Sequence, residues 1–164
     1  MKVYLYPALA LALLSLLTSC DEDETTDTTK PTIKAVMVEG VNVIGNEFEV
    51  HHGEAFELEI EVEDDTELNQ LKVDIHDAFD GHGHAHRRLA EGTDTLSFTQ
   101  VYQLSGKSFK QKVMVSSALD EKYIHGEYHL ELVLLDKAGN QSEQVITFEL
   151  HEEHGGEGEH EHAK

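Results

Sequence analysis

Residues 56–62 read Phe-Glu-Leu-Glu-Ile-Glu-Val, a strict alternation of apolar and acidic side chains. Successive side chains of a β-strand point to opposite faces of its sheet, so this stretch predicts a strand with one buried and one solvated face. Residues 71–76 (Leu-Lys-Val-Asp-Ile-His) alternate in the same way. The chain has no long stripe of apolar residues at the helical period, and we therefore expect an all-β domain.

The same reasoning predicts seven strands between residues 32 and 151. The other five lie at 32–38, 96–104, 109–115, 128–134 and 145–150. The segments on either side of Ser-Gly-Lys-Ser (105–108) are predicted to form a hairpin, and Asp-Lys-Ala-Gly-Asn (136–140) predicts a turn between the last two strands. Seven short antiparallel strands favour an immunoglobulin-like β-sandwich. An open barrel is the competing all-β architecture.

The first twenty residues have the pattern of an export signal. Lys2 precedes an apolar run at 8–17, and the segment ends in Leu-Thr-Ser-Cys at Cys20. This ending resembles the bacterial lipobox, so we expect residues 1–19 to be a lipoprotein signal peptide and Cys20 to be lipidated. Cys20 is the only cysteine, which excludes an intramolecular disulfide and a thiolate metal site.

Residues 20–31 form an acidic segment with no apolar residue after the cysteine, and we expect a flexible tether. Acidic residues in this place also resemble the surface-export signal of Bacteroidota lipoproteins. These patterns predict a protein held in the outer membrane by its lipid anchor. They leave open whether it faces the periplasm or the cell surface.

The charge of the chain is strongly negative. It carries 33 acidic and 12 basic residues, a net charge of −21 with neutral histidines. Removal of Lys2 with the signal peptide would leave 11 − 33 = −22. Such a charge argues against nucleic acid and against anionic membrane surfaces as partners, and it favours cations.

The chain contains twelve histidines, most of them in short clusters. If each strand reverses the one before it, the clusters all fall at one end of the sandwich, opposite the end where the tether joins. Strand alternation then places His76, His129 and His151 on the outer face of one sheet. Imidazole is a common ligand for borderline transition metals, so these three residues are the predicted core of a metal site. The flexible loop with His82, His84 and His86 is expected to complete this site or to form a second one.

Zinc is the expected metal, with Cu²⁺ and Ni²⁺ as alternatives. Cu(I) is disfavoured because the chain offers no thiolate and no clustered methionine ligands. Residues 152–164 are rich in Glu, Gly and His, and we expect a disordered tail that is either a weak chelator or only a polar extension. At the opposite end of the sandwich, Asp64, Asp65 and Asp136 are a lesser candidate for Ca²⁺, since Asp-x-x-Gly-Asn is more often simply a turn.

Residues 71–84 (Leu-Lys-Val-Asp-Ile-His-Asp-Ala-Phe-Asp-Gly-His-Gly-His) resemble the signature of a Bacteroidota lipoprotein family, domain of unknown function 4625. Residues 126–129 and 136–142 are similar to later segments of that family, and the likeness covers most of 30–151. The resemblance implies an exported, immunoglobulin-like lipoprotein without an established activity. Its motif positions fall on His76, Asp80, His82, His84 and His129. Arg87 and Arg88 depart from the pattern and bring positive charge beside this site.

Together these patterns predict a membrane-anchored, non-enzymatic protein that binds a divalent transition metal for buffering, sensing or delivery. An outer-membrane uptake receptor is one candidate protein partner. A three-histidine zinc site with an open position is the form that catalytic zinc takes. However, the sequence has no nucleophile–base pairing and no tryptophan to hold a substrate. The alternative is a cell-surface structural or interaction module whose histidines are incidental or respond to pH.

Overall fold

The computed structural model describes residues 26–78, 94–115 and 122–151, and every regular element within them is a β-strand. One sheet has the order β2-β1-β4-β7 and the other has the order β3-β9-β8-β5-β6. The strands are β1 (Thr32–Val38), β2 (Val41–Asn42), β3 (Phe48–His51), β4 (Phe56–Glu63), β5 (Leu68–Asp77), β6 (Phe98–Gln103), β7 (Ser108–Val115), β8 (Gly126–Asp136) and β9 (Gln141–His151).

The apolar faces of the two sheets form one core. In β4 the apolar residues of the alternating stretch are buried, and the glutamates between them are intermediate or exposed. Strands β5, β8 and β9 supply the largest buried side chains from the other sheet, including Ile75, Tyr128 and Phe148. The all-β sandwich predicted from the alternation is therefore confirmed. Two separate sheets rule out the open barrel as the architecture of the described residues.

The predicted strands correspond to β1 and β4–β9, and the sequence patterns do not indicate β2 and β3. Both are short, with two and four residues, so their alternation is too brief to stand out. Strand β3 also pairs in parallel with β9, which departs from the purely antiparallel arrangement that was expected. The strands that carry His76, His129 and His151 belong to one sheet, as expected, and β8 lies between β5 and β9.

The predicted hairpin across residues 105–108 is wrong. Strand β6 pairs with β5 and strand β7 pairs with β4, so the two strands belong to different sheets. The connection crosses between the sheets beside the β4–β5 connection: the Asp64 N–H donates to the Lys107 carbonyl, and the Leu68 N–H donates to the Gly106 carbonyl, both at 2.8 Å. Gly106 has a φ of 77°, which allows the sharp bend. The turn at 136–140 is confirmed as the β8–β9 connection.

The strand directions define two ends of the sandwich. Strand β5 begins at Leu68 opposite Asp136 and ends at Asp77 opposite Tyr128. We call the end that contains Asp136 the acidic pole and the other end the histidine pole. Strand β1 begins at the acidic pole, with Thr32 opposite Glu63.

The chain before β1 reaches the sandwich at the acidic pole. Within the predicted tether, residues 26–31 are described and contact the domain: Asn140 Nδ2 donates to the Asp27 carbonyl at 3.2 Å, and Ser142 Oγ donates to the Pro31 carbonyl. The predicted signal peptide, Cys20 and the tail at 152–164 lie outside the described residues. No helix within the described ranges is long and apolar enough to cross a membrane.

Tyr128 joins the core to a loop. Its ring is fully buried and stacks on Phe148 with centroids 5.6 Å apart. Its hydroxyl donates to the Ile124 carbonyl at 2.7 Å and accepts from the Leu96 N–H at 3.3 Å. Burial raises the pKa of this phenol. A tyrosine near the start of this strand that bonds the backbone just upstream is typical of immunoglobulin-like sandwiches.

We expect Tyr128→Phe to lower the free energy of unfolding by about 1–3 kcal/mol, because the substitution leaves the buried Leu96 N–H and the partly buried Ile124 carbonyl without this partner. Urea denaturation of the two proteins measures the difference. Tyr102→Phe is the matched control, since the Tyr102 hydroxyl makes no hydrogen bond among the described residues, and it should cost much less. Equal effects of the two substitutions would contradict this role of Tyr128.

Candidate metal centre

Two of the predicted ligands face each other across neighbouring strands. His76 of β5 and His129 of β8 are directly paired in the register, and both project from the outer face of the five-stranded sheet. Their rings meet edge to face with centroids 5.7 Å apart. The alternation of β5 and β8 fixes this arrangement, because the residues on either side of each histidine are in the core or face it.

The next outward pair along the same strands is acidic. Asp74 is paired with Glu131, two residues before His76 and two residues after His129. One ligand atom from each of Asp74, His76 and Glu131 can be chosen so that all three lie within 4.8 Å of one another. These two pairs form a square of two imidazoles and two carboxylates, which we call the β5–β8 grid (Asp74, His76, His129 and Glu131).

Asp74 takes part in more side-chain hydrogen bonds than any other member of the grid. Its carboxylate lies 3.0 Å from Nδ1 of His76 and accepts a 2.6 Å hydrogen bond from Oγ1 of Thr99 on β6. Partial burial acts to raise the pKa of Asp74, but the hydrogen bonds from Thr99 and His76 and the charge of Lys72 outweigh it, so that the pKa is lowered. Asp74 is therefore ionised at neutral pH. It both orients the His76 ring and supplies negative charge.

Lys72 competes for the same carboxylates. Its Nζ lies 3.5 Å from Asp74 Oδ1 and 3.9 Å from Glu131 Oε2, on the side of the grid away from the histidines. An ammonium group in this place neutralises part of the negative charge that would attract a metal ion. The grid therefore already holds a weakly bound cation, contributed by the chain itself.

The two histidines are accessible to a ligand. The side chain of His76 is 46% exposed, and His129 is partly exposed with Nε2 4.0 Å from Glu127 Oε1. His129 is outside the closely spaced set that contains His76, so it joins a shared ion only if its ring turns toward Glu131. The strand register already brings His129 opposite His76, so the change involves the partly exposed His129 side chain and not the backbone.

The register separates the third predicted ligand, His151, from this site. His129 is paired with Thr147, and His151 lies four residues further along β9. Four residues correspond to about 13 Å along a strand, too far for one metal ion to bridge. His151 instead pairs with His51 of β3, with ring centroids 5.8 Å apart. Its Nε2 lies 3.5 Å from Glu149 Oε2.

A second histidine contact lies beside that pair. The rings of His52 and His125 meet edge to face at 4.4 Å, and His52 is only 4% exposed. The His52 N–H donates to the His151 carbonyl at 3.0 Å, which connects the two pairs. This cluster was not predicted from the sequence, because β3 was not predicted. The short alternation Phe-Glu-Val-His at 48–51 was the available signal.

The remaining predicted ligands cannot be placed. Asp80, His82, His84 and His86 lie at 79–93, outside the described residues. The alternation of β5 and β8 also turns Asp74 and Glu131 outward, but the predicted set of metal ligands does not include them. At the acidic pole, the structure groups Asp64 and Asp136 with Asp27 rather than with the predicted Asp65.

A protein-family model described as "Domain of unknown function (DUF4625)" matches residues 18–151. The chain belongs to the DUF4625 family. This match spans every described strand and both members of the paired histidines, so the family resemblance inferred from residues 71–84 is confirmed. A comparison with curated proteins found no match.

The fold of this DUF4625 chain is also similar to parts of solved structures. Crystal structures of wild-type OgpA from Akkermansia muciniphila match with TM-scores of 0.48 and 0.47 and 14% identity, over 75% of this chain. A catalytically inactive OgpA in complex with an O-glycopeptide substrate matches with a TM-score of 0.47, also at 14% identity. This chain spans less than a third of the OgpA chains, covering 29%, 28% and 30% of them.

The lowered pKa of Asp74 predicts a pH-dependent contribution to stability. A carboxyl group whose pKa is lowered on folding stabilises the native state at pH values above its pKa in the unfolded chain, which is about 3.9. The contribution disappears as the pH falls through the lowered native value. We expect Asp74→Asn to cost about 1 kcal/mol at pH 7 and to cost progressively less toward about pH 3.

Urea denaturation of both proteins at a series of pH values measures this difference. Glu57→Gln is the matched control, because the Glu57–Lys112 pair at 2.6 Å is solvent-exposed and such pairs contribute little. A cost for Asp74→Asn that is independent of pH, or equal to that of the control, would contradict the assigned network.

Proposed function

We propose that this DUF4625 protein binds a divalent transition metal, with zinc the favoured ion, through the β5–β8 grid. The observation that carries the proposal is the mutual approach within 4.8 Å of ligand atoms from Asp74, His76 and Glu131, with His129 directly opposite His76. Cu²⁺ and Ni²⁺ remain alternatives, because imidazole and carboxylate ligands suit them as well.

The dimensions of the grid suit a small ion. Zinc binds imidazole nitrogen at about 2.0–2.1 Å and carboxylate oxygen at about 2.0–2.2 Å, usually with four ligands. Paired side chains on neighbouring strands begin about 4.5–5.5 Å apart at Cβ, so side-chain rotations alone can close the site. The two strands that supply all four ligands are joined by an uninterrupted register from Gln70 to Asp77, which makes a rigid support.

Lys72 makes the proposed binding reversible. A metal ion must displace the ammonium group from Asp74 and Glu131, and part of the binding free energy is used for this exchange. The grid is also open to solvent, unlike the enclosed sites that hold structural zinc. Moderate affinity of this kind supports buffering, sensing or delivery. It fits a non-enzymatic protein that passes the ion to a partner, for which an outer-membrane uptake receptor is one candidate.

The placement of the grid supports the same role. Residues 26–31 reach the sandwich at the acidic pole, so an anchor at Cys20 would leave the histidine pole facing away from the lipid bilayer. A protein lipidated at Cys20 in the outer membrane would thus present the grid to the surrounding solution. The net charge of that chain, 11 − 33 = −22, would raise the local concentration of cations there.

The alternative is an interaction module whose surface responds to pH. The contact between His52 and His125 favours it, because two rings 4.4 Å apart would repel each other if both were protonated. In that case the histidine pole would change shape or partner in mild acid without binding a metal.

Isothermal titration of zinc into the full chain, purified without a metal-affinity tag, tests the metal proposal. We expect His76→Ala and His129→Ala each to weaken the tightest site at least about tenfold, since each removes one ligand. Lys72→Met should strengthen it, because the substitution removes the competing ammonium group. Weaker zinc binding in the histidine variants together with tighter binding in Lys72→Met distinguishes a specific site at the grid from general attraction to an acidic surface.

His151→Ala is the matched control, an outward histidine of the same sheet that the register places beyond reach of the grid. It should leave the affinity of the tightest site unchanged. Combined replacement of His154, His160 and His162 removes the histidines of the tail and should affect only weaker sites. Zinc affinity that is insensitive to His76 and His129, or that is lost with the tail histidines, would contradict the proposal.

A further inference from the structure

Three carboxylates from separate parts of the chain converge at the acidic pole. Asp27 precedes β1, Asp64 follows β4, and Asp136 ends β8. One oxygen of each lies within 4.8 Å of the others. The group contains no histidine, and it is distinct from the β5–β8 grid. Seven residues of β8, about 23 Å, separate Asp136 from His129.

Two oxygens of this group lack the partners that buried charges need. Asp64 is only 8% exposed, and its Oδ2 accepts the Thr66 N–H at 2.8 Å, whereas its Oδ1 is buried without a hydrogen bond. Asp27 is only partly buried, and its Oδ1 accepts the Thr29 N–H at 2.9 Å, but its Oδ2 is also a buried atom without a hydrogen bond. None of the ion pairs between described residues includes Asp27, Asp64 or Asp136. A buried carboxylate oxygen without a hydrogen-bond donor is stabilised by a nearby cation, so these two oxygens offer a place for a positive ion.

The third carboxylate is held in place by the β8–β9 turn. Asp136 Oδ1 accepts the N–H groups of Gly139 and Asn140 at 2.6 and 2.8 Å, and its Oδ2 accepts Asn140 Nδ2 at 2.7 Å. Gly139 has a φ of 95°, a conformation in which a side chain would be strained. Asn140 also donates to the Asp27 carbonyl. The turn therefore orients Asp136 and holds the segment that carries Asp27 beside it.

We propose that Asp27, Asp64 and Asp136 form a Ca²⁺ site. Ligands that are all oxygen favour a hard cation over zinc. A calcium ion binds oxygen at about 2.3–2.6 Å, so it spans opposite ligands up to about 5 Å apart and can contact all three carboxylates without backbone movement. Water molecules would complete its six to eight ligands. The ion would give the unpartnered oxygens of Asp64 and Asp27 their counter-charge.

The site would connect the chain before β1 to the two loops at the base of the sandwich. Asp27 lies 113 residues from Asn140 in the sequence, so the ion would close contacts between distant segments. With calcium bound, the segment leading from the N-terminus would hold a fixed direction relative to the sheets. Without it, repulsion between the carboxylates would loosen that segment. Calcium binding would thereby control how rigidly the sandwich is connected to the part of the chain before residue 26.

Thermal unfolding of the full chain tests the site, first with a chelator and then with excess Ca²⁺ or excess Mg²⁺. We expect saturating Ca²⁺ to raise the Tm by about 5–10 °C. Mg²⁺ should have a smaller effect, because it needs short, octahedral contacts and gives up its water reluctantly. Asp64→Asn should abolish the Ca²⁺ effect. In chelator the same variant should be at least as stable as the wild type, because it removes a buried, unpartnered charge.

Asp65→Asn is the matched control, since Asp65 is adjacent, exposed and outside the group. It should retain the full Ca²⁺ effect. Asp27→Asn tests the same site from a residue outside the strands, and it should weaken Ca²⁺ binding at least about tenfold in isothermal titration. Absence of a Ca²⁺-induced shift in the wild type, or an equal shift in Asp64→Asn and Asp65→Asn, would overturn the proposal.

Discussion

The pairing of β8 with β5 on one side and with β9 on the other determines the positions of both candidate metal sites. Burial of Tyr128, Leu130, Leu132 and Leu134 in the core fixes which face of β8 points outward. A slip of one residue would turn all of these side chains to solvent, so the register is strongly specified. The same register places His129 opposite His76 and Glu131 opposite Asp74. At its far end β8 delivers Asp136 to the acidic pole. The register of β8 therefore determines both the packing of the core and the geometry of the two candidate sites.

The two poles differ in ligand chemistry, and this difference separates their proposed roles. The β5–β8 grid combines imidazoles with carboxylates and includes a competing lysine, which suits reversible binding of a borderline ion. The acidic pole offers only oxygen atoms, two of them buried without partners, which suits a hard ion held as part of the structure. On this account the acidic pole fixes the sandwich to the N-terminal segment. The histidine pole remains available for exchange with solvent or a partner.

The sequence predicted what depends on long, regular alternation. The outward positions of His76, His129 and Glu131 follow from strands β5 and β8, which have ten and eleven residues. It failed where the outcome depends on distant parts of the chain. A local Ser-Gly-Lys-Ser sequence does not reveal that its flanking strands enter different sheets. Strand β3 is too short to show its period, so the pairing of His51 with His151 was hidden. The prediction of a flexible tether missed the contact of Asp27 with Asn140, because the two residues lie 113 positions apart in the sequence.

The central claim is that the β5–β8 grid, and not the abundance of histidine, determines where a transition metal binds. Crystals of the protein grown with one equivalent of zinc and measured at the zinc absorption edge test it most directly. We expect one dominant anomalous peak between Asp74, His76 and Glu131, with His129 turned toward it and Lys72 displaced. A dominant peak between His51 and His151, or no peak at the grid, would contradict it.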